Sequence, residues 1–219
     1  MRAGCSRAVA GAGRACLLGG VVLALVACAS PGSIPLDLRY TLTTPTNRVS
    51  DLPGVLAMEQ VFDARRDKGQ IGMALNRPVI PTEPVDRKVS AAVWDHFEQA
   101  GYRVIQLSRG GSFDEAKARQ ARALLGGSIE NFWVEATASG LKVNTQARVR
   151  LRLVLADART RETVWQGAVE GQYGSEEFRY GGFNEAVLRQ DLARALSSTV
   201  DNILANVALR EKLATLLRP

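Results

Sequence analysis

Leu141-Lys-Val-Asn-Thr-Gln-Ala-Arg-Val-Arg-Leu-Arg-Leu-Val-Leu155 is the stretch on which the fold turns. Every odd position is apolar or small (Leu141, Val143, Thr145, Ala147, Val149, Leu151, Leu153, Leu155), while the even positions through Arg152 are polar. Successive strand side chains point to opposite faces, so a period of two marks a strand with one face buried and the other wet. That is the pattern of an antiparallel sheet. A polar turn over 157–162 follows, and 163–173 returns with Trp165, Val169 and Tyr173 on one face, which predicts a long hairpin. On the other side, 124–136 reads as a strand whose apolar phase changes between Ile129 and Phe132, so a bulge is expected near Glu130 or Asn131.

Further out, 36–42 (Leu-Asp-Leu-Arg-Tyr-Thr-Leu) alternates as a half-buried strand, and 55–62 is a second, mostly apolar one after Pro53-Gly54. Between Asp63 and Val85 lie Asp-Ala-Arg-Arg-Asp-Lys-Gly and a set of prolines, which predicts a loop with at most a short edge strand near Ile71 or Val79. A helix is expected over 85–100: Val85, Val89, Ala92, Val93, Phe97 and Ala100 recur at three and four, and Gly101 ends it. A short strand over 102–107 and a polar loop with a helical turn over 110–120 come next. Gly181-Gly182 then breaks the chain before a terminal helix from Asn184, with Leu188, Leu192, Ala195, Leu196, Thr199, Ile203 and Val207 as its apolar stripe. The expected class is α+β: a mixed, mainly antiparallel sheet with two long helices packed on one face.

The N-terminus belongs to another kind of segment. Arg2, Arg7 and Arg14 occur without an acidic residue before the apolar run 17–26 and the small-residue site Ala27-Cys28, the order of a secretory signal peptide. Ten residues make about 15 Å of helix, half of the roughly 30 Å core a spanning helix must cross. The tetrapeptide Leu25-Val26-Ala27-Cys28 resembles the lipobox of bacterial lipoproteins. That resemblance implies cleavage after residue 27 and a diacylglycerol, with further acyl chains such as palmitate, on the Cys28 thiol. Ala29-Ser-Pro-Gly-Ser-Ile-Pro35 has a tether's composition and reaches at most about 25 Å. The expected organisation is therefore a signal over 1–27, lipidated cysteine and tether over 28–35, and one periplasmic domain over 36–219. Cys5 and Cys16 leave with the signal, so the mature chain has neither a disulfide nor a cysteine metal site. Its 25 basic and 22 acidic residues give +3 once the three signal arginines are gone from the chain's +6, which speaks against a nucleic-acid partner.

The lipobox, the tether, a strand ending in Asp63-Ala-Arg, a helix ending in Gln99-Ala-Gly-Tyr102, the long alternating hairpin and the amphipathic terminal helix occur in that order. In this the chain resembles the YajG-like lipoproteins of Gram-negative bacteria over most of its mature length. It also resembles, over fewer features, the auxiliary lipoproteins of ABC-type lipid transporters, which place a strand like Tyr40-Thr41-Leu42 soon after the lipidated cysteine. Either resemblance implies an envelope lipoprotein. Ala29 is not the aspartate that retains lipoproteins in the inner membrane, so the implied location is the outer membrane, lipid-anchored and facing the periplasm.

Catalytic signals are sparse. There is no Gly-x-Ser-x-Gly, no Gly-x-x-x-x-Gly-Lys and one histidine, His96, expected at a helix flank beside Asp95. No enzymatic activity, metal or cofactor beyond the Cys28 lipid is expected. Arg148, Arg150 and Arg152 form a ladder along the polar face of the central strand. They would bind lipid phosphates or an acidic partner, or else pair with Glu130, Glu135, Glu162 or Glu170 on adjacent strands, and pairing is the favoured expectation. Asp63 to Gly69 mixes both signs and reads as a solvated loop. Trp94, Phe132, Trp133, Trp165 and Tyr173 are expected where sheet and helices meet, lining either a filled core or a lipid groove. The expected partners are the membrane, an envelope protein and, in the lipid-transport alternative, a lipid.

Overall fold

The computed structural model describes residues 32–38, 51–107, 113–178 and 183–218. The signal segment, Cys28 and residues 39–42 lie outside them. Among the described residues nine strands form one mixed sheet: β1 (Ile34–Leu36), β2 (Val55–Met58), β3 (Phe62–Asp63), β4 (Gly72–Ala74), β5 (Arg77–Pro81), β6 (Arg103–Gln106), β7 (Ala121–Ser139), β8 (Lys142–Asp157) and β9 (Thr163–Phe178). Among the described residues four helices accompany them: α1 (Val85–Gln99), α2 (Phe113–Ala118), α3 (Glu185–Ala205) and α4 (Val207–Leu217).

β7 is the spine. Along one edge it pairs in succession with β2, β3 and β4, all parallel, and along the other it pairs antiparallel with β8 from Ala123–Asp157 to Ser139–Lys142. β8 then pairs with β9 over nearly its whole length. The hairpin and its partner strand thus stand as the sequence indicates, and the bulge does too, between Ile129 and Asn131. The short pairings are a correction: β1–β5, β2–β6 and the three on the near edge of β7 are parallel, so the sheet is antiparallel by length of ladder but not by number of partners.

The segment expected as a loop is a second correction. It contains the antiparallel β4–β5 pair, whose turn residues Leu75 and Asn76 both have positive φ, 49° and 64°. The first strand is displaced from its expected span of 36–42: β1 covers Ile34–Leu36, where the tether was placed, and Asp37 and Leu38 already lie outside it.

Alternation along β2 shows the layers. Leu56 and Met58 join a large cluster with Val89, Val93 and Phe97 of α1, Leu188, Leu192 and Leu196 of α3, and Leu209 and Leu213 of α4. Ala57 joins a smaller cluster with Ala116 of α2, Leu124 and Ala158 on the opposite face. Both long helices share one side, as expected, and the short α2 covers part of the other. The terminal helix is broken where the sequence suggested continuity. Asn206 caps α4, its side chain accepting from Leu209 N–H at 3.0 Å, and Val207 is 56% exposed rather than part of the stripe.

Candidate functional site on the open face of the long strands

The bulge decides what the uncovered face of β7, β8 and β9 presents. Glu130 is the extra residue, since Ile129 opposes Leu151 and Asn131 opposes Arg150. Before it the even positions of β7 point away from α3; after it the odd ones do, so Phe132, Val134 and Ala136 turn into the core while Asn131, Trp133 and Glu135 turn outward. Trp133 therefore does not sit between sheet and helices. Phe132 is buried there, and Trp94, Trp165 and Tyr173 pack against the same cluster.

The arginine ladder stands beside Trp133, and its charges are met internally. Arg148 Nε and Nη2 donate to the two oxygens of Glu170 at 2.8 and 2.9 Å. Arg150 Nε donates to Glu130 at 2.9 Å and its Nη1 lies 3.6 Å from Glu170, while Arg152 Nε lies 3.8 Å from Glu130. The order Arg148, Glu170, Arg150, Glu130, Arg152 alternates sign across three strands, and the favoured pairing expectation holds for Glu130 and Glu170. Hydrogen bonds from Arg148 and Gln172 hold the Glu170 carboxyl below the ordinary range. Beside this network lies a recess of about 480 Å³ lined by Asn131, Trp133, Glu135, Gln146, Arg148 and Gln172, with Tyr173 and Gly174 at its β9 side. Smaller recesses adjoin it at Glu135 and Gln146 and at Asn131 and Trp133. Asn131 Oδ1 is buried there with no hydrogen-bond partner among the described residues. The recess thus presents an indole ringed by amide, carboxylate and guanidinium groups.

Two expectations elsewhere are corrected. Asp63 and Arg65 are not part of a solvated loop: their side chains are 10% and 7% exposed and paired at 2.8 Å, and Arg65 Nη1 also donates to the Gln70 and Phe132 carbonyls. Arg66, Asp67 and Lys68 are exposed as expected. His96 is not at a helix flank beside Asp95. It is 2% exposed, with Nε2 3.8 Å from Asp201 Oδ1 of α3.

No protein-family model matches the chain, and no curated protein does. Among solved structures it is similar to a Xanthomonas campestris protein assigned to the family model DUF330, with a TM-score of 0.56 and 13% identity over 83% of this chain and 99% of that one. It is similar to a Helicobacter pylori protein described as a neuraminyllactose-binding hemagglutinin homolog, with a TM-score of 0.50 and 10% identity over 82% and 99%. It is also similar to a lipoprotein of Neisseria meningitidis, with a TM-score of 0.39 and 13% identity over 70% and 100%. The first two likenesses establish the fold. Neither the YajG-like nor the ABC-type resemblance becomes membership.

Three more findings bound the chemistry. Among the described residues, no group of three or more His, Cys, Asp or Glu side chains is placed to hold a metal ion, and no helix is long and apolar enough to cross a membrane. The cavity at the helix–sheet seam, lined by Leu38, Lys88, Phe132, Leu192 and Leu196 among others, holds about 10 Å³, at most about one water. Where Leu38, Phe132, Leu192 and Leu196 meet, the described residues pack closely. Leu25, Val26, Ala27 and Cys28 lie outside the described residues. Sequence reasoning missed Trp133 and Asn131 as surface groups, although the apolar phase change it noted already turned them outward.

Proposed function

We propose that this chain is a lipid-anchored envelope protein that binds a polar macromolecular partner across the open face of β7, β8 and β9 and carries out no chemistry of its own. The observation that carries the reading is the recess around Trp133, flanked by an ion-pair network in which Glu170 and Glu130 partner Arg148 and Arg150. A preorganised network costs less to bury against a partner than free, mobile side chains do. The lipobox at Leu25 to Cys28 supplies the anchor, through acyl lipid on Cys28, and Ala29 directs the chain to the outer membrane, facing the periplasm. Within that class the order of features favours a YajG-like lipoprotein. The alternative, an auxiliary lipoprotein of an ABC-type lipid or lipopolysaccharide transport system, needs an apolar groove, and the close packing at Leu38 and Phe132 gives it less support.

The test places a photo-cross-linking amino acid at Gln146 or Gln172 in intact cells, with Arg210 on α4 as control. Discrete adducts from the sheet positions and none from Arg210 are expected. Equal labelling at all three sinks the binding-face reading. Separately, Cys28→Ala must abolish palmitate incorporation, and persistent labelling removes the anchor.

A further inference from the structure

The strand registers bring the chain's point of entry and the tip of the longest hairpin to the same end of the sheet. Ile34 of β1 opposes Val79 of β5, Arg77 opposes Ala74 of β4, and Ala74 opposes Ala136 of β7. Two residues before Ile34, the Gly32 carbonyl accepts from Arg77 Nε at 2.9 Å, and Leu75 N–H donates to the Ala136 carbonyl at 3.0 Å. The chain thus enters at the level of Ala136. β7 runs past that level to Ser139 and turns at Gly140, whose φ of 59° suits a residue without a side chain. It returns as β8 with Lys142 opposite Phe178. At about 3.4 Å per residue, the step from Ala136 to Gly140 carries the tip about 14 Å beyond the entry point.

The tip carries two large exposed apolar side chains where a water-facing turn is ordinarily polar throughout. Leu141 is 69% exposed and Phe178 is 59% exposed, and Lys142 Nζ lies 5.1 Å from the Phe178 ring. Two acidic groups at this end are paired, Glu176 with Lys142 at 2.5 Å and Glu185 with Arg77 at 3.2 Å, while Glu135 and Glu177 add exposed carboxylates. Cys28 precedes Gly32 by four residues, at most about 14 Å of extended chain. Tether and hairpin therefore reach equally far from the same level, and any slack in the tether brings the tip nearer to the surface that holds the acyl chains.

We propose that this tip is a second membrane contact, with Leu141 and Phe178 seated in the headgroup layer of the bilayer that anchors Cys28 and the long strands standing upright on it. The proposal rests on the lipidation reading. Single apolar side chains bind a bilayer weakly, but a covalent anchor makes their insertion intramolecular.

The mature chain has no cysteine besides Cys28, so Ser139→Cys at the tip or Thr160→Cys in the turn at the opposite end accepts a single fluorophore. The full-length lipidated protein is placed in phosphatidylethanolamine–phosphatidylglycerol vesicles carrying lipid-borne spin labels. Loss of most emission at position 139 is expected, with none at 160, and full recovery when Leu141→Asp and Phe178→Asp are added. Equal quenching at both positions, no quenching at 139 in protein that floats with the vesicles, or quenching that survives the double substitution overturns the tip contact and leaves the anchor intact. Protein that neither floats nor incorporates palmitate overturns the anchor reading, and the proposal with it.

Discussion

Arg65 sits two residues from Asp63 and satisfies it three times over, through its backbone N–H, Nε and Nη2. Burial pushes the Asp63 carboxyl up, but those hydrogen bonds and the charges of Arg65 and Lys68 outweigh it and hold the group below its ordinary value of 3.8. Arg65→Met keeps the bulk and leaves a buried carboxylate alone, so unfolding free energy should fall by about 3 kcal/mol in urea titration; a loss near zero means that the pair is not structural. His96 is the opposite kind of buried group. Burial pushes its imidazole down, and the Asp201 charge only partly opposes this. The unfolded chain then binds a proton that the folded one refuses between the lowered value and 6.5, so stability falls as pH falls through that window. The melting temperature of the wild type should drop more between pH 7.5 and 5.5 than that of His96→Gln; parallel curves exclude His96 as the cause.

Elements were legible in proportion to how locally their signals are written. The β8 strand and its partners carry a period of two over a dozen or more residues, and the bulge shows as a phase change, so both could be read from the chain. The β4–β5 pair could not: its turn opens on Leu75 rather than on glycine, asparagine or aspartate, and Pro78 and Pro81 argue against a strand with neighbours on both sides, although β1 pairs beside them. The break at Asn206 is equally local, one capping side chain inside an apolar pattern that continues beyond it. One element contact has no sequence signature except a glycine. α3 crosses β9 so closely at Gly171 that a Cβ there would run into the Ala195 carbonyl and the Thr199 amide. Gly171→Ala should force the helix away and cost about 3 kcal/mol in chemical denaturation, against a smaller loss for Gly174→Ala, whose added atom meets its nearest neighbour, the Thr145 carbonyl, at 3.1 Å rather than 2.4 Å. Similar losses at the two positions would mean that the strand, not the helix contact, is what glycine serves.

For the whole molecule, nothing local in the sequence shows that the start of β1 and the tip of the β7–β8 hairpin are neighbours. The described chain begins at Gly32 and the exposed tip stands at 139–142, and only the chain of registers through β1, β5, β4 and β7 puts that point of entry and the tip at one end. Parallel pairings of this kind join strands distant in the chain and carry no periodic trace, which is also why the sheet's parallel share was missed. The candidate site was half legible for the same reason: the ladder Arg148, Arg150, Arg152 is a local pattern, but its neighbours Trp133 and Asn131 depend on which way the bulge turns β7. The shortness of the tether then becomes a testable quantity. A flexible linker spans about 5–6 Å times the square root of its length, so a Gly/Ser insertion of about 20 residues after Ser30 lengthens the span from Cys28 to Gly32 from four residues to about 24. Effective concentration falls roughly as the −3/2 power of length, about fifteenfold here. If the tip holds the membrane only because the anchor keeps it there, quenching at Ser139→Cys should collapse in the long-tether variant while flotation and palmitate labelling stay unchanged. Undiminished quenching would mean that Leu141 and Phe178 bind the bilayer unaided, and that the length match between tether and hairpin plays no part in orienting the domain.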